Sequence, residues 1–552
     1  MKRACFCKNV QVYDKMDMRV PYDLKRKNYY RMKHSIFSHA AMICCMVLFS
    51  IFPDFASNNP TNKTVKVGFS SVELTSCIKS KQGYRLPLEA KCMALERNRQ
   101  NTLIYALDFM EVSNEFCYYV QTEIGKELNI NPESILLHTT HTHSAPADYN
   151  QGMPEIDKQK LAVLLIQAAK EAMAKAKPAK VKIGEENIGK SLSVNRRHDT
   201  GTGLGIQTYW FGYQYAENDD RPEASALINE MSSRWMGKMG NYKSGPDKVY
   251  FDRAVDSLVQ VMYFVDLQNK PLGSIVRFSA HPHLASFFKN QLFDPDFPGR
   301  TRRFMEKELG GQCLFLQGGA GDLVPKEKVK YQLSDNYKFR NVYLGPISRF
   351  YAVDEDKLLS EINRIGEDIA HAAVKALGRE KFTKLTMVDY TFKPLNIPLN
   401  PSLLNSKKEI EMVRKALTNE YNDYKNTNGT LNEIRRLANV MNWLDWGAYY
   451  ALGYTSENDR KNGYKPMPYS VLQINSTPIV FMNSEIMVET TLALRDQFKA
   501  LNPWVISLTG GTIMYIPTDK MLDDGGYEGR STVIDKGTES KIREHIAGML
   551  EN

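Results

Sequence analysis

Histidine is the side chain whose spacing in this sequence most clearly indicates chemistry. Of the ten histidines, five fall in two short stretches, and each stretch ends an apolar run typical of a buried strand. The first stretch contains His138, His141 and His143, and the second contains His281 and His283. Neutral imidazole is the most common ligand of catalytic zinc, which usually takes three protein ligands and keeps one position open. Two such stretches predict a metal site, whereas one HxH alone would favour hydrogen-bonded core histidines.

The apolar segments before both stretches should bring them to one place. Residues 135–140 and 273–282 have the composition of buried strands and run directly into their histidines. Ligands of α/β proteins bind at strand ends, where loops present side chains. On an extended chain alternate residues point the same way, so we expect His141 and His143 to face one site.

Short apolar segments and amphipathic helical segments alternate along the rest of the chain. The predicted strands are residues 65–75, 103–109, 259–266, 313–317, 470–474, 479–483 and 504–510. The predicted helices are residues 112–127, 155–176, 300–309, 355–377, 406–421 and 486–500. Because some neighbouring strands form hairpins while others are separated by helices, we predict an α/β fold. Its mixed β-sheet would have flanking helices and a metal site at strand ends.

Composition excludes several classes of protein. Among 552 residues, 43% are apolar and 24% are charged, which is typical of a globular chain and excludes collagen, coiled coils and multi-span membrane proteins. The formal net charge is +9, but residues 1–34 hold ten Lys/Arg and three Asp/Glu, a net +7. The remainder is nearly neutral and has no electrostatic footprint for nucleic acid.

The N-terminal residues have the features of a secretory signal. A basic stretch precedes residues 40–52, an uncharged apolar run shorter than the ~20 residues that a membrane-spanning helix needs. We predict that residues 1–56 are a signal peptide or leader, that Met32 is the true start, and that residues 57–64 are a linker. The protein would then be secreted or periplasmic. The alternative is an uncleaved membrane anchor formed by residues 40–52.

The cysteines and a glycine-rich loop carry weaker signals. The four cysteines after the leader show no CxxC spacing, which disfavours zinc fingers and iron–sulfur clusters and leaves a Cys77–Cys92 disulfide open. In residues 318–325 (GGAGDLVP) the glycines would let the backbone approach a ligand closely, and Asp322 could orient a neighbouring group. The sequence has neither a Walker lysine after this loop nor a GxSxG nucleophile motif.

Several segments, in order, resemble the N-terminal catalytic domain of the neutral/alkaline non-lysosomal ceramidase family. VGFSSVELT resembles the family's opening strand, THTHSAPADY its THTHSGPGGY, and FSAHPH its FAVHPT. SVNRR is similar to its Asn-Arg segment and GGAGDLVPK to its NxGDVSPN loop. NSEIMVETTLALRD and MYIPTDKMLDDGGYEGRST are similar to two later segments. We therefore expect residues 65–552 to form a ceramidase-like catalytic domain without the family's C-terminal immunoglobulin-like domain.

The resemblance implies a zinc site. The residues that match the family's zinc ligands are His141, His281, Glu485 and Tyr515. Two imidazoles, a carboxylate and a phenolate suit Zn²⁺, and His141 and Tyr515 would also take part in catalysis. His143 would lie beside the metal as a proton shuttle or as a donor to the developing oxyanion.

The substrate-binding residues that the resemblance implies are Arg196, Asp322 and Val324. Arg196 would contact a polar or anionic part of the substrate. Val324 occupies the position of the serine proposed as catalytic in the ceramidases, and valine can neither attack nor donate a hydrogen bond. We therefore expect weak activity on ceramide and direct attack by a zinc-activated water rather than an acyl-enzyme.

The sequence as a whole predicts a zinc-dependent hydrolase of the ceramidase superfamily that cleaves an amide (N-acyl) or related bond. Its partner would be a small-molecule or lipid-like substrate rather than nucleic acid, with peripheral membrane contact left open. Its role would lie in lipid metabolism, including that of sphingolipids. Two alternatives stay open: a catalytically inactive, metal-bearing binding protein of the same fold, and an ester hydrolase acting on a non-lipid substrate.

Overall fold

The computed structural model describes most of the chain after the leader. The described residues are 65–148, 154–199, 206–208, 253–288, 292–326, 331–333, 351–353, 355–401, 407–426 and 453–551. All of them belong to one compact unit, Asn62–Asn552. The predicted leader (1–56) and linker (57–64) lie outside the described residues, so these boundaries stay predictions.

A nine-stranded mixed sheet forms the centre of the fold. The strands of its main path are β1 (Lys66–Glu73), β2 (Glu89–Arg97), β3 (Gln100–Leu107), β4 (Ile135–Thr139), β5 (Lys177–Asn187), β6 (Leu258–Asp266), β7 (Pro271–Phe278) and β8 (Gln312–Gln317). Their spatial order is β8-β7-β6-β5-β1-β2-β3-β4, and the short strand Thr383–Lys384 pairs with β5. The pairs β3–β4 and β7–β8 are parallel, and the other pairs on this path are antiparallel. The predicted mixed α/β sheet is confirmed.

A second, four-stranded sheet packs on one face of the first. Its strands, in the order in which they pair, are β9 (Val388–Phe392), β10 (Tyr469–Ile474), β11 (Thr477–Met482) and β12 (Trp504–Ile506). β10 and β11, which correspond to the predicted strands 470–474 and 479–483, form a hairpin, and β12 runs parallel to β11. The loops at the end of this sheet supply part of the site described below.

Helices and short elements complete the described residues. The longer helices are α1 (Asn114–Leu128), α2 (Lys158–Lys175), α3 (Asp296–Leu309), α4 (Glu355–Gly378), α5 (Lys407–Asn426), α6 (Val488–Gln497) and α7 (Thr538–Leu550). The short helices are Thr75–Cys77, Pro132–Ser134, Leu284–Phe287, Glu457–Asn462, Asp519–Asp524 and Gly526–Arg530. The short strands outside the two sheets are Ile78–Lys79, Glu155–Ile156, Ser193–Asn195, Arg197–Asp199, Ile206–Thr208, Leu323–Pro325, Tyr331–Leu333, Tyr351–Val353, Leu395–Pro398, Tyr464–Met467, Glu485–Ile486 and Tyr515–Ile516.

Both faces of the main sheet are buried, which explains why its strands are almost continuously apolar. On β3, Leu103, Tyr105 and Leu107 pack in a cluster with α1 and α2. Ile104 and Ala106, which point the other way, pack in a cluster shared with the second sheet. Helices α3 and α4 cover β6, β7 and β8 on the helical face.

The main sheet curls until its two edge strands meet. The backbone N–H of Gln317, at the end of β8, donates to Nε2 of His138, near the end of β4, at 2.9 Å. Isolated bridges between His138 and Thr509 and between Gly318 and Ile506 attach both strand ends to the segment around β12. The loops after β4 and β8 therefore begin side by side, although these strands lie at opposite edges of the sheet.

Local side-chain chemistry explains where the predicted elements differ from the structure. The predicted helix at residues 155–176 begins at Lys158, because the Asp157 carboxylate accepts hydrogen bonds from two backbone N–H groups of the first turn. β2 is not among the predicted strands, since its sequence EAKCMALER carries charged residues. The buried Lys91 ammonium on β2 pairs with Glu89 and Glu306 at 3.3 and 3.0 Å.

The described cysteines are all buried free thiols, namely Cys77, Cys92, Cys117 and Cys313. The disulfide that the sequence left open between Cys77 and Cys92 does not form. Burial raises the pKa of both thiols to about 12, so they stay protonated. Among the described residues, no helix combines the length and the apolar character needed to cross a membrane.

Candidate metal centre

The loop after β4 carries the first pair of histidines. β4 ends at Thr139, and His141 has a left-handed backbone conformation with φ +66°. An extended chain is therefore not the reason why His141 and His143 face the same site, contrary to the expectation from the sequence. The two imidazoles nevertheless face one site, because their Nε2 atoms are 3.4 Å apart. The Met110 carbonyl oxygen lies 2.8 Å from His141 Nδ1 and accepts a hydrogen bond from it, so in the neutral ring Nε2 presents a lone pair.

The loop after β7 carries the second pair. The His281 backbone N–H donates to the Leu323 carbonyl oxygen at 3.0 Å, and His281 Nδ1 lies 2.6 Å from the Ala320 carbonyl oxygen. A carbonyl oxygen can only accept, so Nδ1 carries the proton and Nε2 of His281 presents a lone pair. His283 lies farther out: its ring centroid is 6.3 Å from those of His143 and His281.

Glu485 brings a carboxylate to the same place. It lies in a two-residue strand that pairs in parallel with the strand of Tyr515. Its Oε2 is 2.9 Å from His281 Nε2 and 3.3 Å from His141 Nε2. The ligand atoms of the three histidines lie within 4.8 Å of one another. We call His141, His143, His281 and Glu485 the His–Glu cluster.

The protonation states in this cluster follow from burial and charge. Burial lowers the pKa of His281 to about 4, and the charge of Arg196 adds to the effect, so its Nε2 carries no proton at neutral pH. Burial alone would raise the pKa of Glu485, but His141 and His281 outweigh it and hold this pKa well below its ordinary value. Glu485 is therefore an ionised carboxylate.

A bound cation would stabilise the contact between these atoms. His281 Nε2 and Glu485 Oε2 are buried and have no hydrogen-bond partner among the described residues, yet they are 2.9 Å apart. Two lone pairs at that distance repel unless a positive ion lies between them. The separations of 2.9 and 3.3 Å between Glu485 and the two imidazole nitrogens are close to the edge of about 3.3 Å of a tetrahedron of zinc ligands. The cluster can therefore hold a metal ion.

Three residues at or directly before the site have a left-handed backbone conformation. Ser484 and Met514, which immediately precede Glu485 and Tyr515, have φ +66° and +70°, and His141 has φ +66°. A left-handed conformation costs a residue with a side chain roughly 1–2 kcal/mol. Strain of this kind clusters at functional sites, where the surrounding fold enforces it. The geometry of these three loops is thus imposed by the tertiary structure.

A buried ion network lies beside the cluster. Arg196 donates from Nη2 to Tyr515 Oη at 2.9 Å and from Nε to Glu528 at 2.7 Å. The second Glu528 oxygen accepts from Arg197 at 3.0 Å. Burial and the charge of Glu485 raise the pKa of the Tyr515 phenol well above its ordinary value, so its hydroxyl keeps its proton. These contacts of Arg196 orient Tyr515 next to Glu485.

The glycine-rich loop ties the segments of the site to one another. The Asp322 carboxylate accepts from Asn195 Nδ2 at 2.6 Å and from the backbone N–H of Val488, the first residue of α6, at 2.9 Å. A Cβ on Gly319 would overlap Thr491 Oγ1, so glycine lets the loop lie directly against α6. The sequence predicted that the glycines would let the backbone approach a ligand closely. In the structure the loop instead lies close to helix α6, and Asp322 orients the neighbouring segments.

Val324 lies in the apolar core. Its side chain is fully buried in the cluster that contains Val194, its partner across a short antiparallel ladder. The adjacent Leu323 packs in a separate small cluster with Val488. This strand contacts His281 through the Leu323 backbone carbonyl, while Val324 contributes packing.

Replacing Val324 with serine should destabilise the protein. The change removes apolar contacts and buries a hydroxyl in an apolar cluster, which we expect to lower the free energy of unfolding by about 2 kcal/mol. Urea unfolding monitored by circular dichroism measures it. Val163→Ser, at a position 64% exposed, is the matched control and should leave stability almost unchanged. Equal stability of Val324→Ser and the native protein would contradict this placement of Val324.

Solved structures of ceramidases have a similar fold. Neutral ceramidase from Pseudomonas aeruginosa matches with a TM-score of 0.54 and 16% identity, over 88% of this chain and 73% of that chain. A structure described as ceramidase complexed with C2 matches with a TM-score of 0.54 and 15% identity, over 87% of this chain and 74% of that chain. The chain has a ceramidase-like fold. No protein-family model and no curated protein matches the sequence.

Some residues around the site of this ceramidase-like fold are not among the sequence-predicted ones. They include Arg197, Glu528, Glu111 and Tyr454. Arg197 and Glu528 are far apart in the chain, and no spacing rule links such residues. Glu111 does carry a local signal, because a charged residue directly follows the apolar segment that leads into Met110.

His138 should make stability depend on pH. Its Nδ1 donates to the Ser507 carbonyl oxygen at 2.9 Å and its Nε2 accepts from Gln317, so the native state needs a neutral ring. Burial lowers its pKa to about 3. The unfolded chain therefore binds this proton first, and stability falls as the pH drops below about 6.5, by ~1.4 kcal/mol per pH unit from this group.

Urea unfolding of the chelator-treated protein at pH 7.5, 6 and 5 checks this dependence. His138→Gln retains a donor and an acceptor without a titrating ring, so its stability should fall less steeply. The same slope in both proteins would show that His138 does not contribute.

Proposed function

We propose that the protein is a zinc-dependent hydrolase, related to the neutral ceramidases, that cleaves an amide (N-acyl) or closely related bond. The observation that carries this proposal is the meeting of Glu485 Oε2 with the Nε2 atoms of His281 and His141 at 2.9 and 3.3 Å. Neutral imidazoles with one carboxylate form a donor set that suits Zn²⁺. The ceramidase-like fold supports hydrolysis of a C–N bond by analogy alone.

The residues around the metal have separable roles in this proposal. A zinc ion bound there would supply the Lewis acidity that polarises the scissile carbonyl. His141, His281 and Glu485 would hold it, with the Tyr515 hydroxyl held close by Arg196. Burial lowers the pKa of His143 well below its ordinary value, and the nearby His141 and His281 add to this effect. His143 is then a neutral base that can take a proton at Nε2 and pass it to the leaving amine.

Hydrolysis assays on the purified protein test the proposal. Fluorogenic N-acyl amides and the corresponding esters are incubated with the zinc-loaded protein, with the chelator-treated protein, and with chelator-treated protein to which zinc is returned. We expect amide hydrolysis that is lost with chelator and restored by zinc. Faster hydrolysis of the esters would favour the ester-hydrolase alternative. Stoichiometric zinc without turnover of either series would contradict the proposal and favour a metal-bearing binding protein.

We also propose that ceramide is not the preferred substrate. Val324 offers no nucleophile or donor at the position of the family's serine. Loss of one transition-state donor typically costs about 10²–10³ in rate, so the native protein should turn over ceramide weakly or not at all. Val324→Ser should raise this turnover only modestly, because the side chain at this position is buried in the apolar core and because Leu323 and Lys326 also differ from the family loop. Efficient ceramide hydrolysis by the native chain would contradict this prediction.

We propose a secreted or periplasmic location on the basis of the leader, with a small or lipid-like amide as substrate. The mature protein from its native host should begin between about residues 56 and 59, as expected after removal of a signal peptide. N-terminal sequencing measures this. An intact N-terminus at Met1 or Met32 in membrane fractions would favour the anchor.

A further inference from the structure

The turn at the start of α3 contacts both of the loops that carry the histidines of the His–Glu cluster. These loops are residues 140–148 and 279–288, and we call them the first and the second histidine loop. One backbone bond joins them directly, because the His143 N–H donates to the Pro282 carbonyl oxygen at 2.9 Å. The turn formed by residues 294–296 adds a second connection, which uses both side-chain and backbone hydrogen bonds.

The first histidine loop is attached to this turn at two points. Thr142 lies between His141 and His143 in the sequence, and its hydroxyl donates to the Asp294 carbonyl oxygen at 2.8 Å. The Asp294 backbone N–H donates in turn to the Ser144 carbonyl oxygen at 3.0 Å. Thr142 and Asp294 are completely buried, so solvent does not compete for these bonds. The backbone between the two histidines therefore cannot shift without breaking a buried hydrogen bond.

The second histidine loop is attached to the same turn through the Asp296 carboxylate. Its Oδ2 accepts from the Ala285 backbone N–H at 2.7 Å, and its Oδ1 accepts from the Phe297 N–H, in the first turn of α3, at 2.6 Å. Asp296 has a left-handed backbone conformation with φ +52°. Aspartate adopts this conformation more readily than most residues with a side chain. One buried side chain thus connects the second histidine loop to the helix.

Arg300 holds the turn in this conformation. It donates from Nη1 and Nη2 to the Asp294 carboxylate, the latter at 2.9 Å, and from Nη1 to the Asp296 carbonyl oxygen at 3.1 Å. The Asp294 carboxylate also accepts from the Asp296 backbone N–H at 2.7 Å. A buried ion pair adds little net stability compared with apolar packing of the same volume. The effect of this network is therefore on the conformation of the turn.

We propose that the 294–296 turn sets the spacing of the two histidine loops and thereby the metal affinity of the His–Glu cluster, with Thr142 and Asp296 as positioning residues. The inference rests on the metal centre of the proposed function and adds the residues that preorganise it. Loops that already have the spacing of the bound state lose less conformational entropy when a metal binds. Loosening the turn should therefore weaken zinc binding even when the protein stays folded.

Substitutions of Thr142 separate its hydrogen bond from its packing. Thr142→Val keeps the shape of the side chain but removes the donor to Asp294, whereas Thr142→Ser keeps the donor. The dissociation constant for zinc is measured at pH 8 by competition with a chromophoric chelator. It should rise about 10-fold or more in Thr142→Val and stay within about 2-fold of the native value in Thr142→Ser.

The matched control is Thr301→Val. The buried Thr301 hydroxyl donates to the Phe297 and Gly366 carbonyl oxygens at 3.0 and 3.1 Å, between α3 and α4. Its removal should lower the free energy of unfolding in urea much as Thr142→Val does, because both changes leave buried carbonyl oxygens without a donor. Zinc affinity should nevertheless stay native in Thr301→Val, since this bond does not reach either histidine loop.

Asp296→Asn tests the other end of the turn. Asparagine tolerates the left-handed conformation, but it has one acceptor oxygen for the backbone N–H groups of Ala285 and Phe297. Burial raises the pKa of Asp296 to about 7, so pH 8 keeps the native carboxylate ionised. We expect this variant to bind zinc about 10-fold more weakly than the native protein.

Hydrogen exchange of the native protein tests the inference without any variant. The backbone amides of His143, Ala285 and Asp294 form the bonds that join the loops and the turn. They should be protected as well in the chelator-treated protein as in the zinc-loaded protein. Free exchange of these amides in the chelator-treated protein would overturn the inference, because the metal and not the turn would then order the loops.

The zinc affinities separate this inference from the proposed hydrolase function. Native affinity in folded Thr142→Val or Asp296→Asn would overturn the inference, as would an equal loss in Thr142→Ser or Thr301→Val. It also falls if the native protein binds no zinc. Affinities in the expected order, in a protein that turns over neither amides nor esters, would refute the hydrolase while supporting the positioning role of the turn.

Discussion

His281→Ala should lose stoichiometric zinc and chelator-sensitive hydrolysis together. The substitution removes the nitrogen closest to Glu485 Oε2, at 2.9 Å, and leaves the carboxylate and His141 facing an open space. Removing residues that merely orient metal ligands typically costs 10–100-fold in affinity, so loss of a ligand should cost about 100-fold or more. Zinc per chain, measured by mass spectrometry after dialysis into zinc-buffered solution, gives the result.

The control for this experiment is His371→Ala. His371 is exposed on α4 and its ring packs against Phe304, away from the His–Glu cluster. This variant should keep both zinc and activity. Full zinc occupancy in the double variant His141→Ala/His281→Ala would show that the metal, if any, binds elsewhere.

Glu528→Gln should strongly destabilise the fold. The Glu528 carboxylate is completely buried and pairs with both Arg196 and Arg197, at 2.7 and 3.0 Å. The neutral amide has nearly the same shape but removes the carboxylate charge that pairs with two buried guanidinium groups. Breaking a buried ion pair in this way costs about 3–5 kcal/mol. The free energy of unfolding from urea titration measures the loss.

The matched control is Glu127→Gln, which removes a carboxylate from an exposed pair with Lys170. Solvent screens that pair, so stability should be almost unchanged. Similar stabilities of Glu528→Gln and Glu127→Gln would mean that the arginines find other partners. Since Arg196 also holds Tyr515, Glu528→Gln is expected to reduce hydrolysis as well, at temperatures where the variant stays folded.

Local patterns were sufficient for the strands that precede the histidines and for most helices. Residues 135–140 and 273–282 were predicted as buried strands, and they correspond to β4 and β7. Their apolar side chains pack in hydrophobic clusters on both faces of the sheet. A strand that is buried on both faces has an almost continuously apolar sequence. β2 was not predicted because a lysine is unusual in a buried strand. Lys91 can be buried there because it pairs with two glutamates, one of them on a helix distant in sequence.

The convergence of two histidine stretches was predicted from the sequence, but its cause was not. The alternation of side chains along an extended strand does not explain why His141 and His143 face one site. The strand ends before these residues, and His141 has a left-handed backbone conformation. Their common orientation follows from the Met110 contact and from the curl of the sheet, which brings the ends of β4 and β8 within hydrogen-bonding distance. Such contacts depend on the whole sheet closing, and no local pattern encodes that.

The sequence alone supplied the candidate metal-ligating side chains, since residue type limits what can bind a cation. Histidines at strand ends were enough to predict a metal site, and the resemblance to ceramidases added Glu485. The roles of the surrounding residues required the folded chain. Arg197 and Glu528 are buried and pair with each other although they are hundreds of residues apart in the chain. The role of a charged residue depends on its burial and on its neighbouring residues, and tertiary packing determines both.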